Sequence, residues 1–332
     1  MTKGNVITQL VSTSARRLAM PIAVHPGAAL TGATIRKLVT DPEAQSAASA
    51  ALHLRYRTPI VLSAMDLSAE AEAFGCEISM GEMEVPTVTG RLVTSLAAAE
   101  ALAAPSPGAA RTQVYLETVR RLKQLPSKPL VLGGCIGPFS LTGRLAGISE
   151  TYEMTITEPE LVHLVLKKTC AFLTAYVQAF KQAGADGVIM AEPAAGLLSP
   201  RSMSFFSSAY IKSIVQAVED ESFAIILHNC GAKLPHWPAL LESGASVFHF
   251  GAPMDIAAAL SQAPAGVVLC GNLDPAAIFV QGSASLVAQR TKALLEMTQS
   301  YRNYIISSGC DVPASTPLVN LDAFFETVAA MK

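Results

Sequence analysis

Seven short apolar runs, each closing on glycine or on polar residues, recur along this chain with helical patterns between them. Residues 59–62 precede Ser63-Ala64-Met65-Asp66, 130–132 precede Gly133-Gly134-Cys135, and 187–190 precede Ala191-Glu192-Pro193. Residues 224–227 lead into His228-Asn229-Cys230, and 247–250 into Gly251-Ala252-Pro253. The last two, 267–269 and 304–306, lead into Cys270-Gly271-Asn272 and into 307–311. The runs are continuous rather than alternating, which suits strands buried on both faces of a parallel sheet. Between them, Leu161, Leu164, Val165, Phe172, Tyr176 and Phe180 recur at helical spacing, with Gly184 as a stop. Thr157 with Glu160 predicts a capping box, and Pro159 suits a first turn.

Strand–helix alternation of this kind predicts an α/β fold. A single (β/α)8 TIM barrel fits best, because eight units take about 250 residues and leave roughly 80 for an N-terminal helical extension. We expect one domain over 1–332, with an arm over 1–55 and a barrel over 56–332. The eighth strand has no clear counterpart in the sequence. The Ala-rich stretch 97–110 reads as a surface excursion, and Trp237, after Pro235-His236, reads as a loop residue able to face a partner.

Composition removes several alternatives. The 332 residues carry 24 Lys+Arg against 26 Asp+Glu, a net charge of −2, which excludes a generally basic nucleic-acid binder. A hydrophobic share of 51% excludes intrinsic disorder. No apolar run reaches the ~18–20 residues that cross a bilayer. Arg16 and Arg17 precede only a short apolar patch that runs into His25-Pro26-Gly27, a poor signal peptide. The six cysteines follow no disulfide spacing, so the expected location is the cytoplasm, with thiols free for chemistry.

A barrel gathers the ends of its strands, and the loops after them, into one active face. That face would collect Asp66, Cys135, Glu192, His228, Cys230, Asn272, Asp274, Cys310 and Asp311. Residues two apart at a strand end point the same way, so His228 and Cys230 can share one pocket. Imidazole and thiolate both suit Zn²⁺, and Cys310 can supply a third ligand while leaving a fourth position open. His-x-Cys alone fits a packed thiol and a capping histidine as well. The distant Cys310 at another strand end favours the metal. Cys76, Cys170 and Cys270 read as packing, Cys135 as a small buried hydrophobe, and His249 as a satisfied core or rim histidine.

Leu227-His228-Asn229-Cys230-Gly231, Cys270-Gly271-Asn272-Leu273-Asp274-Pro275 and Gly309-Cys310 with Thr316-Pro317-Leu318 occur in that order. With Met65-Asp66-Leu67, Glu70-Ala71-Glu72-Ala73-Phe74-Gly75 and Gly137-Pro138-Phe139-Ser140, this resembles the zinc-dependent corrinoid methyltransferase branch of the uroporphyrinogen decarboxylase superfamily. The resemblance spans about 21–325. It implies zinc on His228, Cys230 and Cys310, and methyl transfer from a methylated corrinoid such as methylcobalamin to a thiol such as coenzyme M. The corrinoid would arrive on a separate protein, since the chain has no Asp-x-His-x-x-Gly element. The decarboxylase branch grips its substrate with an Arg-rich N-terminal motif. Pro21-Ile22-Ala23-Val24-His25-Pro26-Gly27 holds no arginine here. Glu192 is expected as a fourth zinc ligand, or as an acceptor behind the ligands, against a plain rim carboxylate. Asp66 is expected to contact substrate or corrinoid. Asn272 and Asp274 would orient the cofactor, or make an Asx turn before Pro275. Two other readings stay open: a demethylase moving methyl from a small donor to cob(I)alamin, and a non-catalytic zinc-bearing protein that docks a corrinoid carrier.

Overall fold

The computed structural model describes residues 4–331. Among them are nine strands: β1 (Ile60–Leu62), β2 (Glu77–Ser79), β3 (Thr87–Thr89), β4 (Leu130–Ile136), β5 (Gly187–Ala191), β6 (Ala224–Asn229), β7 (Val247–Phe250), β8 (Val268–Leu273) and β9 (Tyr304–Ser308). β2 and β3 pair as a small antiparallel ribbon. The other seven form one parallel sheet in the order β1-β4-β5-β6-β7-β8-β9. These are the seven apolar runs of the sequence, and β5, β6, β7 and β9 are buried along their whole length. Burial on both faces is why their side chains do not alternate in polarity.

The described residues contain seven strands of this sheet, not the expected eight. Beside β9 runs an extended segment from the N-terminal part of the chain. The Ile306 N–H donates to the Leu18 carbonyl, and the Met20 N–H to the Ile306 carbonyl, with Ala19 bridging Ile306 in parallel. This segment is hard to read from sequence because it makes a single bridge rather than a ladder. Helices Val6–Thr13, Gly27–Thr31, Ile35–Thr40 and Pro42–Tyr56 flank this segment and lead to β1.

The helix Pro159–Gln182 shows how the outer layer is fixed. Leu161, Val165, Phe172, Tyr176 and Phe180 face the core as their spacing predicts, while Leu164 is half-buried. Its aromatic rings pack in sequence, Phe172 stacked on Tyr176 with centroids 5.7 Å apart and Tyr176 tilted against Phe180 at 4.6 Å. It stops at Gly184, whose φ of +96° suits glycine. The Gly184 and Ala185 N–H groups donate back to Lys181 and Phe180, satisfying two terminal carbonyls. The expected capping box does not form. Thr157 belongs to the preceding helix Ile148–Thr157, its hydroxyl donating to the Glu153 carbonyl, and Glu158 takes the cap position instead. The physical reason is continuity, because two helices meet with a one-residue joint and Thr157 is already helical.

Trp237 also departs from expectation. It opens the short helix Trp237–Leu241 and is buried, edge-on to Phe248 at 4.9 Å and Phe250 at 5.6 Å. It is core, not a docking residue. The stretch 97–110 is largely exposed, as expected, but begins inside a helix, Leu96–Ala101. Lys168 caps that helix by donating to the carbonyls of Ala99 and Leu102, both at 2.7 Å.

Two features of β4 generate tests. At Gly133 a Cβ would lie 2.6 Å from the Phe180 ring, so the long helix approaches the sheet only because that position has no side chain. Gly133→Ala is expected to cost about 1–3 kcal/mol. Gly133→Ala/Phe180→Leu should lose less than the sum of its single changes. Urea unfolding checks both.

At the other end, Glu70 from the helix Ala69–Ala73 accepts the Ile136 N–H at 3.0 Å and ties the β1 crossover to β4. Burial pushes its carboxyl up to about 8 against that hydrogen bond. An unfolded glutamate ionises near ~4.3. Between the two values the native state binds more protons than the unfolded state, so this group's contribution falls as pH rises and is lost above about 8. Glu70→Gln should therefore flatten the decline in stability between about pH 5.5 and about pH 8, by an amount on the order of 2–4 kcal/mol at roughly 1.4 kcal/mol per unit. Urea unfolding at both pH values measures it.

Candidate metal centre

β6 carries the chain inward as six buried residues, and its last turns of side chain set the site. Alternation sends His228 and Cys230 one way and Asn229 the other. Asn229 is consumed structurally, its amide donating to the Glu192 carbonyl at 2.9 Å and its oxygen accepting the Gly231 N–H. Cys310 arrives two residues past β9. The loops that follow β6, β7 and β9 press together through glycine. A Cβ at Gly251 would strike the Cys230 carbonyl, and one at Gly309 would sit 2.9 Å from the Ala252 nitrogen.

One ligand atom from each of His228, Cys230 and Cys310 lies within 4.8 Å of the others, as the sequence predicts. His228 is buried, and its Nε2 has no hydrogen-bond partner. Leaving such an atom unpaired is costly unless a ligand completes it. The two thiols share a proton. The Cys310 S–H draws the Cys230 thiol below the ordinary thiol range, against the burial that opposes it. The same contact and burial push Cys310 up. A second thiolate there needs a cation. This donor set, one imidazole nitrogen and two sulfurs, fits Zn²⁺.

The other expected site residues have different surroundings. Glu192 is fully buried and turned to the start of the helix Pro138–Ala146, accepting the Phe139 N–H at 3.0 Å and the Ser140 N–H at 2.5 Å. Burial pushes its carboxyl up to about 7 against those bonds. It does not join the His228, Cys230 and Cys310 cluster. Asp66 is locked in a buried network: Arg111 pairs with it, Tyr115 donates to it at 2.9 Å, and Ser68 donates from both backbone and hydroxyl. Asn272 spends its amide on the carbonyls of Gly251 and Met254. Asp274 makes the Asx turn, accepting from Ala276 and Ala277 at 2.9 and 2.8 Å. Cys76, Cys135, Cys170 and Cys270 are buried packing thiols. His249 is fully buried and partnered at both nitrogens.

Beside Cys310 lies a pair that sequence reasoning missed. His25 Nδ1 sits 2.6 Å from Asp311, with His25 Nε2 and Asp311 Oδ1 left without partners. Burial opposes charge on His25, yet Asp311 and Asp66 carry its pKa above the ordinary histidine value. The two residues stand 286 positions apart, and no local pattern marks them.

Comparison with known proteins addresses the family and the fold. Residues 14–331 match the family model described as uroporphyrinogen decarboxylase (URO-D). A methylcobamide:CoM methyltransferase, MtbA of Methanosarcina acetivorans, is 29% identical over 265 residues, 79% of this chain and 76% of its own. A uroporphyrinogen decarboxylase of Desulfotalea psychrophila is 29% identical over 259 residues, 76% of this chain and 74% of its own. The solved structure of a methyltransferase from Methanosarcina mazei has the same fold, with a TM-score of 0.87 at 22% identity over 98% of this chain and 97% of that one. A strand-end site on this parallel sheet and a match over nearly the whole length lead to one conclusion: the chain belongs to the uroporphyrinogen decarboxylase family.

Proposed function

We propose that this chain is a zinc-dependent methyltransferase that moves a methyl group from a methylated corrinoid, carried on a separate protein, to a small thiol such as coenzyme M. The observation that carries the reading is the convergence of one imidazole nitrogen and two sulfurs within 4.8 Å, with the nitrogen buried and unpartnered. The name of the Methanosarcina acetivorans relative supports it. The decarboxylase relative reaches the same 29% identity, so the choice between them rests also on residues. The sulfur-rich donor set has an evident use in thiol chemistry. The stretch 21–27 offers no arginine for a polycarboxylate, and Arg111 is already paired with Asp66 and Glu72. The proposal treats the chain as one cytoplasmic barrel domain over 1–332 with its arm over 1–55. In that arm, residues 18–22 stand in the eighth strand's position.

His228, Cys230 and Cys310 would hold the metal and leave its fourth position for substrate. Bound there, Zn²⁺ supplies the Lewis acidity that keeps a substrate thiol ionised near neutral pH. The remaining work belongs to the chain. Its buried strand ends enclose His228, while Cys230 and Cys310 stay partly open toward the mouth. Glu192 holds the start of the helix Pro138–Ala146 against the β5 loop and so shapes the wall beside the site. Asp66, gripped by Arg111, Tyr115 and Ser68, braces the β1 side of the mouth. In the reaction the substrate sulfur forms a bond to the methyl carbon as the cobalt–carbon bond breaks. The electron pair stays on cobalt, and the thiol proton goes to solvent.

Purified protein from zinc-replete medium should hold about one zinc per chain. Cys310→Ser and Cys230→Ser should each hold well under half of that, measured by metal analysis. Chelation should abolish methyl transfer while leaving the far-UV circular dichroism nearly unchanged, because a core of this size does not need a metal staple. A helical signal lost on chelation would make the metal structural.

Adding the true thiol to the zinc-loaded protein should release about one proton per zinc near neutral pH. The release should shrink once the pH passes the free thiol's own pKa. Coenzyme M, homocysteine and methanethiol form the first panel, scored also by methylation from methylcobalamin. If no thiol releases a proton and a small methylated donor instead alkylates cob(I)alamin, the demethylase reading replaces this one.

A further inference from the structure

His249 is not among the metal ligands, yet it touches one of them. It stands on β7 directly opposite His228 in the β6–β7 register, so both imidazoles emerge on the same face. Their rings lie edge to face with centroids 4.7 Å apart. The hydrogen bonds around the pair form a directed chain whose sense follows from its far end. The Met20 carbonyl can only accept, so the Ser307 hydroxyl donates to it, at 2.6 Å. A hydroxyl has one proton, and Ser307 has now used it. Toward His249 Nε2, 2.7 Å away, Ser307 therefore accepts, and that nitrogen carries the N–H. His249 is fully buried with no carboxylate against it, so it is neutral and its Nδ1 is a bare acceptor. His228 Nδ1, 2.9 Å away, must then be the donor. The His249 carbonyl, 3.3 Å from the same atom, accepts in the same sense.

We propose that His249 and Ser307 are positioning residues that hold His228 in its Nδ1–H tautomer and so present the Nε2 lone pair to the metal site. The inference rests on the zinc reading of His228, Cys230 and Cys310. A metal-bound histidine needs one fixed nitrogen free of its proton, and the partner of the other nitrogen decides which one is free. Here that partner is a second imidazole, oriented by a serine that is itself anchored on the Met20 backbone. Nothing else reaches His228 Nδ1 among the hydrogen bonds of the described residues. Removing His249 takes away the acceptor. Removing Ser307 lets His249 exchange tautomers, after which it can push its own proton toward His228.

The test uses two readouts on the full chain. In metal-free protein labelled with ¹⁵N-histidine, long-range proton–nitrogen spectra should show the His228 proton on Nδ1. In Ser307→Ala it should redistribute between the two nitrogens. In a competition with a chromophoric chelator, Ser307→Ala and His249→Phe should bind zinc roughly 10- to 100-fold more weakly than the parent. Ser307→Thr, which keeps the hydroxyl, should bind within about threefold of it. Cobalt-loaded Ser307→Ala should also show a shifted ligand-field spectrum. If His249→Phe fails to fold, Ser307→Ala decides alone. A parent protein with the His228 proton on Nε2, or a Ser307→Ala protein with unaltered zinc affinity, overturns the proposal. If the parent itself binds no zinc, the functional reading fails, while the tautomer measurement still decides the direction of the hydrogen-bond chain.

Discussion

The register between β6 and β7 is the constraint on which the centre depends. It sets His228 opposite His249 and, one step on, Asn229 opposite Phe250. A slip of one residue would reverse every side chain on β6. Asn229 would enter the site, and His228 would face the helices. The slip is opposed by the apolar residues before the site, because Ile225, Ile226 and Leu227 are all buried against neighbours on both faces. The chemistry at the end of the strand is therefore held in place by packing along its length.

A second set of restraints lies on the β1–β4–β5 side. Three buried acidic groups there do different work. Asp66 is paired with a cation, Glu70 meets a single backbone N–H, and Glu192 meets two at a helix start. Burial pushes both Glu192 and Glu70 up, to about 7 and about 8, against these hydrogen bonds. Carboxylates in such places hold the loops above the sheet at fixed distances from one another. The centre on β6 and β9 thus faces a wall held by polar bonds as well as by the apolar core.

Much of this was legible in the sequence, and the physical reason is locality. A strand buried on both faces must be apolar throughout, so all seven sheet strands announce themselves. His228 and Cys230 are separated by one residue, and Cys310 follows its own strand, so the donor set is legible as well. What escaped depends on partners far along the chain. Arg111 and Asp66 are 45 positions apart, and Asp311 and His25 are 286 apart. Neither contact leaves a spacing to read. Glu192 stood out as a reactive carboxylate at a strand end, but its commitment to the Phe139 and Ser140 N–H groups belongs to a neighbouring unit. Asp274, whose partners are two and three residues away, was readable as a turn for the same reason that Glu192 was not.

The segment beside β9 ties the order of synthesis to the finished site. Met20 receives the Ser307 hydroxyl across 287 positions of chain. During translation the early residues leave the ribosome with neither a ladder to join nor a hydroxyl to receive, and they wait roughly 15–60 s at ordinary elongation rates for β9. β6 and β7 can pair well before that. A nascent chain can thus bring His228 and His249 together while the serine that orients them is still unmade. Contacts this distant in sequence form late and slow the final step of folding. Metal capture in an orderly geometry then follows the emergence of β9, and a shorter nascent chain offers at most the imidazole and the first of the two sulfurs.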